Sequence, residues 1–161
     1  MNPPSLCCLL FFLCIACNKE DDHHITPILQ PVVDNFFLEA QRQSHDIKNT
    51  NDFTVTFGDL SKEGKNARTY YETRTIVVDS STAAYKRDPE VLVFHEMGHL
   101  LLHREHKDSF IYMDMYVPGY PVKVQLWVPE SIMNCCLLPD YEFDDDARKL
   151  YMKELFSFAN V

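Results

Sequence analysis

His95-Glu96-Met97-Gly98-His99 places two imidazoles four residues apart with a carboxylate between them. On a helix, residues four apart share a face about one turn apart, so His95 and His99 can aim both rings at one point. Glu96 then stands beside that point. Histidine pairs of this spacing suit one zinc ion, and the adjacent glutamate suits proton transfer to or from a metal-bound water. The motif needs a helix, and one is signalled independently. Asp88 can cap it, Pro89 fits the first turn, and Val91, Leu92, Phe94, Met97, Leu101 and Leu102 supply an apolar flank.

Catalytic zinc sites normally take three protein ligands and leave a fourth position for water. His103 continues the four-residue series but sits about 12 Å beyond His95 if the helix persists, too far to close on the same ion. It is the alternative third ligand should the helix break early. His106, eleven residues after His95, can return to the metal if the chain leaves the helix near Leu102. A third arrangement takes a downstream glutamate, for which Glu130, Glu142 and Glu154 are available. Glu154 reads as a solvent-side residue of the last helix.

Residues 95–106 resemble the metzincin metallopeptidases, whose motif is His-Glu-x-x-His-x-x-Gly-x-x-His followed by a methionine turn. Leu102 stands where those enzymes carry glycine, and the last histidine arrives one residue late, with Glu105 at the expected place. Ser131-Ile132-Met133-Asn134 is similar to their turn, which implies that Met133 forms an apolar floor beneath the histidines. Cys135 and Cys136 depart from the aromatic residues often found next and leave the transition-state tyrosine open, with Tyr141 one choice. The whole pattern also resembles a group of zinc-dependent metallopeptidase lipoproteins of Gram-negative bacteria. These join a lipobox to such a helix and turn, and end in a helix with Glu-Leu-Phe, here Glu154-Leu155-Phe156.

The elements that must position these residues read as an α+β fold. Residues 27–44 repeat apolar side chains at three and four, giving a helix with Ile28, Leu29, Val32, Val33, Phe36, Phe37 and Ala40 on its buried stripe. Phe53–Phe57, Ala67–Tyr71 and Arg74–Asp79 read as strands, with Thr75–Val78 the most central. The expectation is a small zincin-like domain: a short twisted, mostly antiparallel sheet, the active-site helix, the methionine turn and a C-terminal helix. Residues 110–117 and 122–128 are apolar and aromatic, fitting either a cleft wall or edge packing.

Residues 1–16 lack charge and carry an apolar run, Leu6–Ala16, too short to span a bilayer and suited to a secretion signal. Ile15-Ala16-Cys17 resembles a lipobox with Cys17 as the lipidated residue, although Cys14 replaces the preferred leucine and no Lys or Arg precedes the run. The following Asn18-Lys19-Glu20-Asp21-Asp22 resembles the surface-export tag of some Gram-negative lipoproteins. The chain therefore divides into a signal (1–16), a lipidated cysteine and acidic linker (17–26), and a zinc metallopeptidase domain (27–161). That places it in the cell envelope as an outer-membrane lipoprotein, tethered by acyl chains. Of six cysteines, only Cys135 and Cys136 remain in the folded part. Adjacent cysteines pair only in a strained ring, so they are expected as small packing residues rather than a disulfide.

With 161 residues, 24 acidic against 15 basic side chains and a net charge of −9, the chain has room for one modest core and no basic face for nucleic acid. The expected function is a zinc metallopeptidase acting on peptides, with His95, His99 and His106 as ligands and Glu96 as general base. The competing reading is a non-catalytic zinc-binding surface lipoprotein whose ion is closed by protein ligands, His103 among them.

Overall fold

The computed structural model describes residues 24–48, 50, 52–116, 120–135 and 145–157. The signal segment, Cys17, Cys136, Tyr141 and Glu142 lie outside the described residues.

The chain enters at β1 (His24–Ile25), then forms α1 (Gln30–Arg42), β2 (Thr54–Phe57), β3 (Ala67–Tyr70) and β4 (Thr75–Val78). These strands make one sheet in the order β1-β2-β4-β3. The short helix α2 (Ala83–Arg87) leads into α3 (Pro89–Leu102), the hairpin β5 (Phe110–Met115) and β6 (Val124–Pro129) follows, and α4 (Asp145–Leu155) closes the described chain. The mixed α and β content agrees with the sequence expectation.

Two details differ from it. The sheet is not mostly antiparallel: β1 with β2 and β2 with β4 run parallel, and only β3 with β4 runs antiparallel. The reason is connectivity. Helix α1 acts as the crossover that parallel neighbours require, and β4 inserts between β2 and β3 after the tight turn at Tyr71–Arg74. Secondly, His24 and Ile25 are not linker but the edge strand that pairs with Thr54 and Val55. A two-residue strand leaves no periodicity to read.

Alternation decides which face each strand buries. Val55 on β2 and Ile76 and Val78 on β4 are fully enclosed and point the same way, against α3 and α1. Phe36 of α1 meets Phe94 of α3 edge-to-face with centroids 5.1 Å apart, and meets Phe156 beyond α4 at the same separation. Ten of the 14 residues of α3 are buried, from Val91 through Gly98 plus Leu100 and Leu101. A helix enclosed on nearly all sides is held by packing rather than by propensity, each fully buried large apolar side chain contributing about 1.5–3 kcal/mol. The motif is thus mounted on a helix enclosed by the core.

A candidate metal centre at the end of α3

Asp88 starts α3 by accepting a hydrogen bond from the Val91 N–H at 3.1 Å, with Pro89 next in the first turn. The helix ends at Leu102. His103 follows in the left-handed conformation, φ 52° and ψ 34°, and the Arg104 N–H reaches back to the Gly98 carbonyl at 3.0 Å. The left-handed residue lies one place after Leu102, and the returning histidine also comes one place late, so the two displacements cancel. His106 stands three residues past the left-handed position.

The bend brings His95, His99 and His106 together as one group of metal-ligating side chains. Their Nε2 atoms form a nearly equilateral triangle: 3.1 Å from His99 to His95, 3.1 Å from His99 to His106 and 3.2 Å from His95 to His106. A four-coordinate ion held by imidazole nitrogens at about 2.0–2.1 Å would space them by about 3.3–3.4 Å. Tautomers sharpen the fit. The His95 Nδ1–H donates to the Ile132 carbonyl at 2.8 Å, and the His99 Nδ1–H donates to the Arg104 carbonyl at 2.6 Å. A carbonyl can only accept, so each neutral ring carries its proton on Nδ1 and turns an Nε2 lone pair inward. Lone pairs converging at this distance repel unless a cation lies between them. Burial also favours the uncharged form of His95. It lowers the His95 pKa to about 4, with the His99 and His106 charges adding to the effect and the Ile132 bond opposing it. The His106 pKa is lowered by the same desolvation. Neutral imidazole is the form that binds metal. The donor set therefore fits a divalent ion.

His95 is buried, His99 is half-buried and His106 is exposed, so the group opens to solvent on one side. Among the described residues no fourth donor joins it. His103 is exposed and serves as the helix terminator. Its place in the sequence series is real, but the left-handed turn carries its side chain out of the ligand set.

Glu96 is 8% exposed and lies beside the triangle, its Oε2 accepting from the Thr69 hydroxyl at 2.6 Å. Burial raises its pKa above the ordinary glutamate value, against the lowering effect of the Thr69 bond. Thr69 sits on β3, at the open edge of the sheet, and sequence reading missed it. An alternating threonine in a strand carries no signal of its partner.

Met133 is fully buried. A Cβ added at Gly98 would come 2.6 Å from its Sδ, so glycine inside the motif is what admits the methionine beneath the helix. Two glutamates proposed as alternative ligands are committed elsewhere. Glu130 pairs with Lys107 at 2.9 Å and accepts from Ser109 at 2.6 Å. Glu154, expected on the solvent side, has a side chain only 13% exposed and accepts from Arg104 and Ser131, each at 2.5 Å. The outward stripe of α4 ends before it, because the Arg104 guanidinium docks on the helix end. Cys135 also departs from expectation: it is exposed rather than packed, its N–H bonded to the Asp108 carboxylate at 3.2 Å.

No family model, curated protein or solved structure matches the chain.

Proposed function

We propose that the chain is a zinc-dependent metallopeptidase of metzincin-like type, held at the cell envelope by a lipid on Cys17. The observation that carries the reading is the triangle of three Nε2 lone pairs with the Glu96 carboxylate buried beside it. His95, His99 and His106 would hold the ion. Zinc bound there supplies Lewis acidity toward a peptide carbonyl and lowers the pKa of a coordinated water. Glu96 accepts the proton of the attacking water and passes it to the leaving amine. Its raised pKa makes it a stronger base, and the Thr69 hydroxyl fixes its orientation. A substrate would approach from the exposed His106 side, while buried His95 and Met133 close the back. No described helix is long and apolar enough to cross a membrane; an acyl group on Cys17 would tether the chain without spanning it. A closed structural ion would need a fourth protein donor, and His103 is turned away.

The test is Glu96→Gln in the zinc-loaded chain, assayed on a fluorogenic peptide library with metal content measured alongside. Hydrolysis is expected to fall at least 10²–10⁴-fold, about the contribution of a general base, with bound zinc unchanged. Undiminished hydrolysis in a variant that keeps its zinc would defeat the mechanism.

A further inference from the structure

Two backbone carbonyls orient two of the ligands: Ile132 for His95 and Arg104 for His99. They come from separate segments, the turn after β6 and the bend after α3. One carboxylate joins those segments. Glu154 of α4 receives the Arg104 guanidinium on Oε1 and the Ser131 hydroxyl on Oε2. Arg104 also caps the helix end, donating to the Glu154 and Leu155 carbonyls at 3.0 and 2.8 Å. Ser131 in turn accepts from the Met133 N–H at 3.0 Å, which shapes the peptide that presents the Ile132 carbonyl. Lys107 completes the junction. Its ammonium lies 3.6 Å from Glu154, and its N–H donates to the Met133 carbonyl at 3.0 Å.

We propose that Glu154 is a positioning residue for the three-histidine centre, holding in register both carbonyls that set the His95 and His99 tautomers. The inference rests on the reading of that centre as a metal site. The Arg104 and Glu154 side chains are 11% and 13% exposed, so neither charge is well solvated without the other. A pair this enclosed rigidifies the segments it joins. Outer hydrogen bonds to ligating histidines typically change metal affinity 10–100-fold when removed. The carboxylate reaches both segments from outside the ligand set, so a helix with no residue at the metal governs how two ligands point.

The experiment uses the full chain, metal-free and with ¹⁵N-labelled histidine, comparing the wild type with Glu154→Gln and Ser131→Ala. Two-bond ¹H–¹⁵N correlations read the tautomer of each ring, and competition with a chelator for Zn²⁺ alone reads affinity. In the wild type, His95 and His99 are expected as single Nδ1–H tautomers. Glu154→Gln is expected to give a mixture at His99 and to weaken zinc binding 10–100-fold. Ser131→Ala, which cuts one arm, should disturb His95 and leave His99 unchanged. A purely structural role would lower the melting temperature in both variants without this split. Folded Glu154→Gln with an unmixed His99 tautomer and zinc affinity within about twofold of wild type overturns the proposal. If Glu154→Gln does not fold, Ser131→Ala decides: a mixed His95 tautomer supports the linkage and an unchanged one overturns it. Should the wild type fail to bind zinc, the metal reading falls, and the tautomer comparison still judges Glu154 by itself.

Discussion

At its first turn α3 is set by Asp88, whose carboxylate takes the Val91 N–H, and by Pro89 beside it. At its last turn it is set by His103 in a left-handed conformation and by a long reach from the Arg104 N–H to Gly98. The first end uses residues whose preference for that position is intrinsic. The second has no glycine and no local stop signal. There tertiary contacts accompany the stop: the Arg104 side chain clamped on α4, and the Lys107 N–H bonded to the Met133 carbonyl. The first end only starts a helix. The second end turns His106 back to its partners, so the chemistry rests on the end with the weaker local code.

That contrast can be broken at several points. The largest stability effect is expected from Gly98→Ala, which drives a methyl against Met133 and within 3.2 Å of Leu155 in a fully packed region. A loss of about 1–3 kcal/mol by chemical denaturation is expected for such overpacking, with weaker zinc binding because the turn carrying Ile132 must shift. Next comes Asp88→Ala, expected to cost about 1 kcal/mol, the ordinary worth of an N-cap, while leaving zinc affinity unchanged. The two variants thus separate the end that builds the helix from the end that builds the site.

The finest probe moves a glycine. Leu102→Gly puts it where the metzincin pattern has it, but here inside the helix, and should destabilise by at least about 1 kcal/mol, since the partly buried leucine side chain is lost as well. His103→Gly puts it at the residue that is left-handed in this protein, and should be neutral or stabilising by up to about 1 kcal/mol. A reversed order of the two midpoints would show that the bend lies at residue 102 instead.

The same contrast explains what was legible in the sequence. The helix over His95–His99, its Asp88 cap and the alternating strands are local patterns, and the structure has each of them, with Met133 buried in a turn. His106 was legible only as a choice among candidates, since no local residue marks the bend and its neighbour Arg104 meets a helix fifty residues later. Thr69, Glu154 and the β1 edge were not legible. Each acts through long-range partners (Glu96, Arg104 with Ser131, and β2), and neither periodicity nor composition records such pairings. The sheet's parallel pairings escaped for the same reason: strand order is set by which crossover packs on which face, not by any strand's own residues.

The central claim, that the bend delivers His106 and not His103 to a shared ion, is tested most directly by metal stoichiometry. Zinc content would be measured by elemental analysis on purified wild type, His106→Ala and His103→Ala after equilibration in limiting buffered zinc. The account predicts about one ion per chain in wild type and His103→Ala, and a near-complete loss in His106→Ala. Full zinc in His106→Ala, or its loss in His103→Ala, would contradict it.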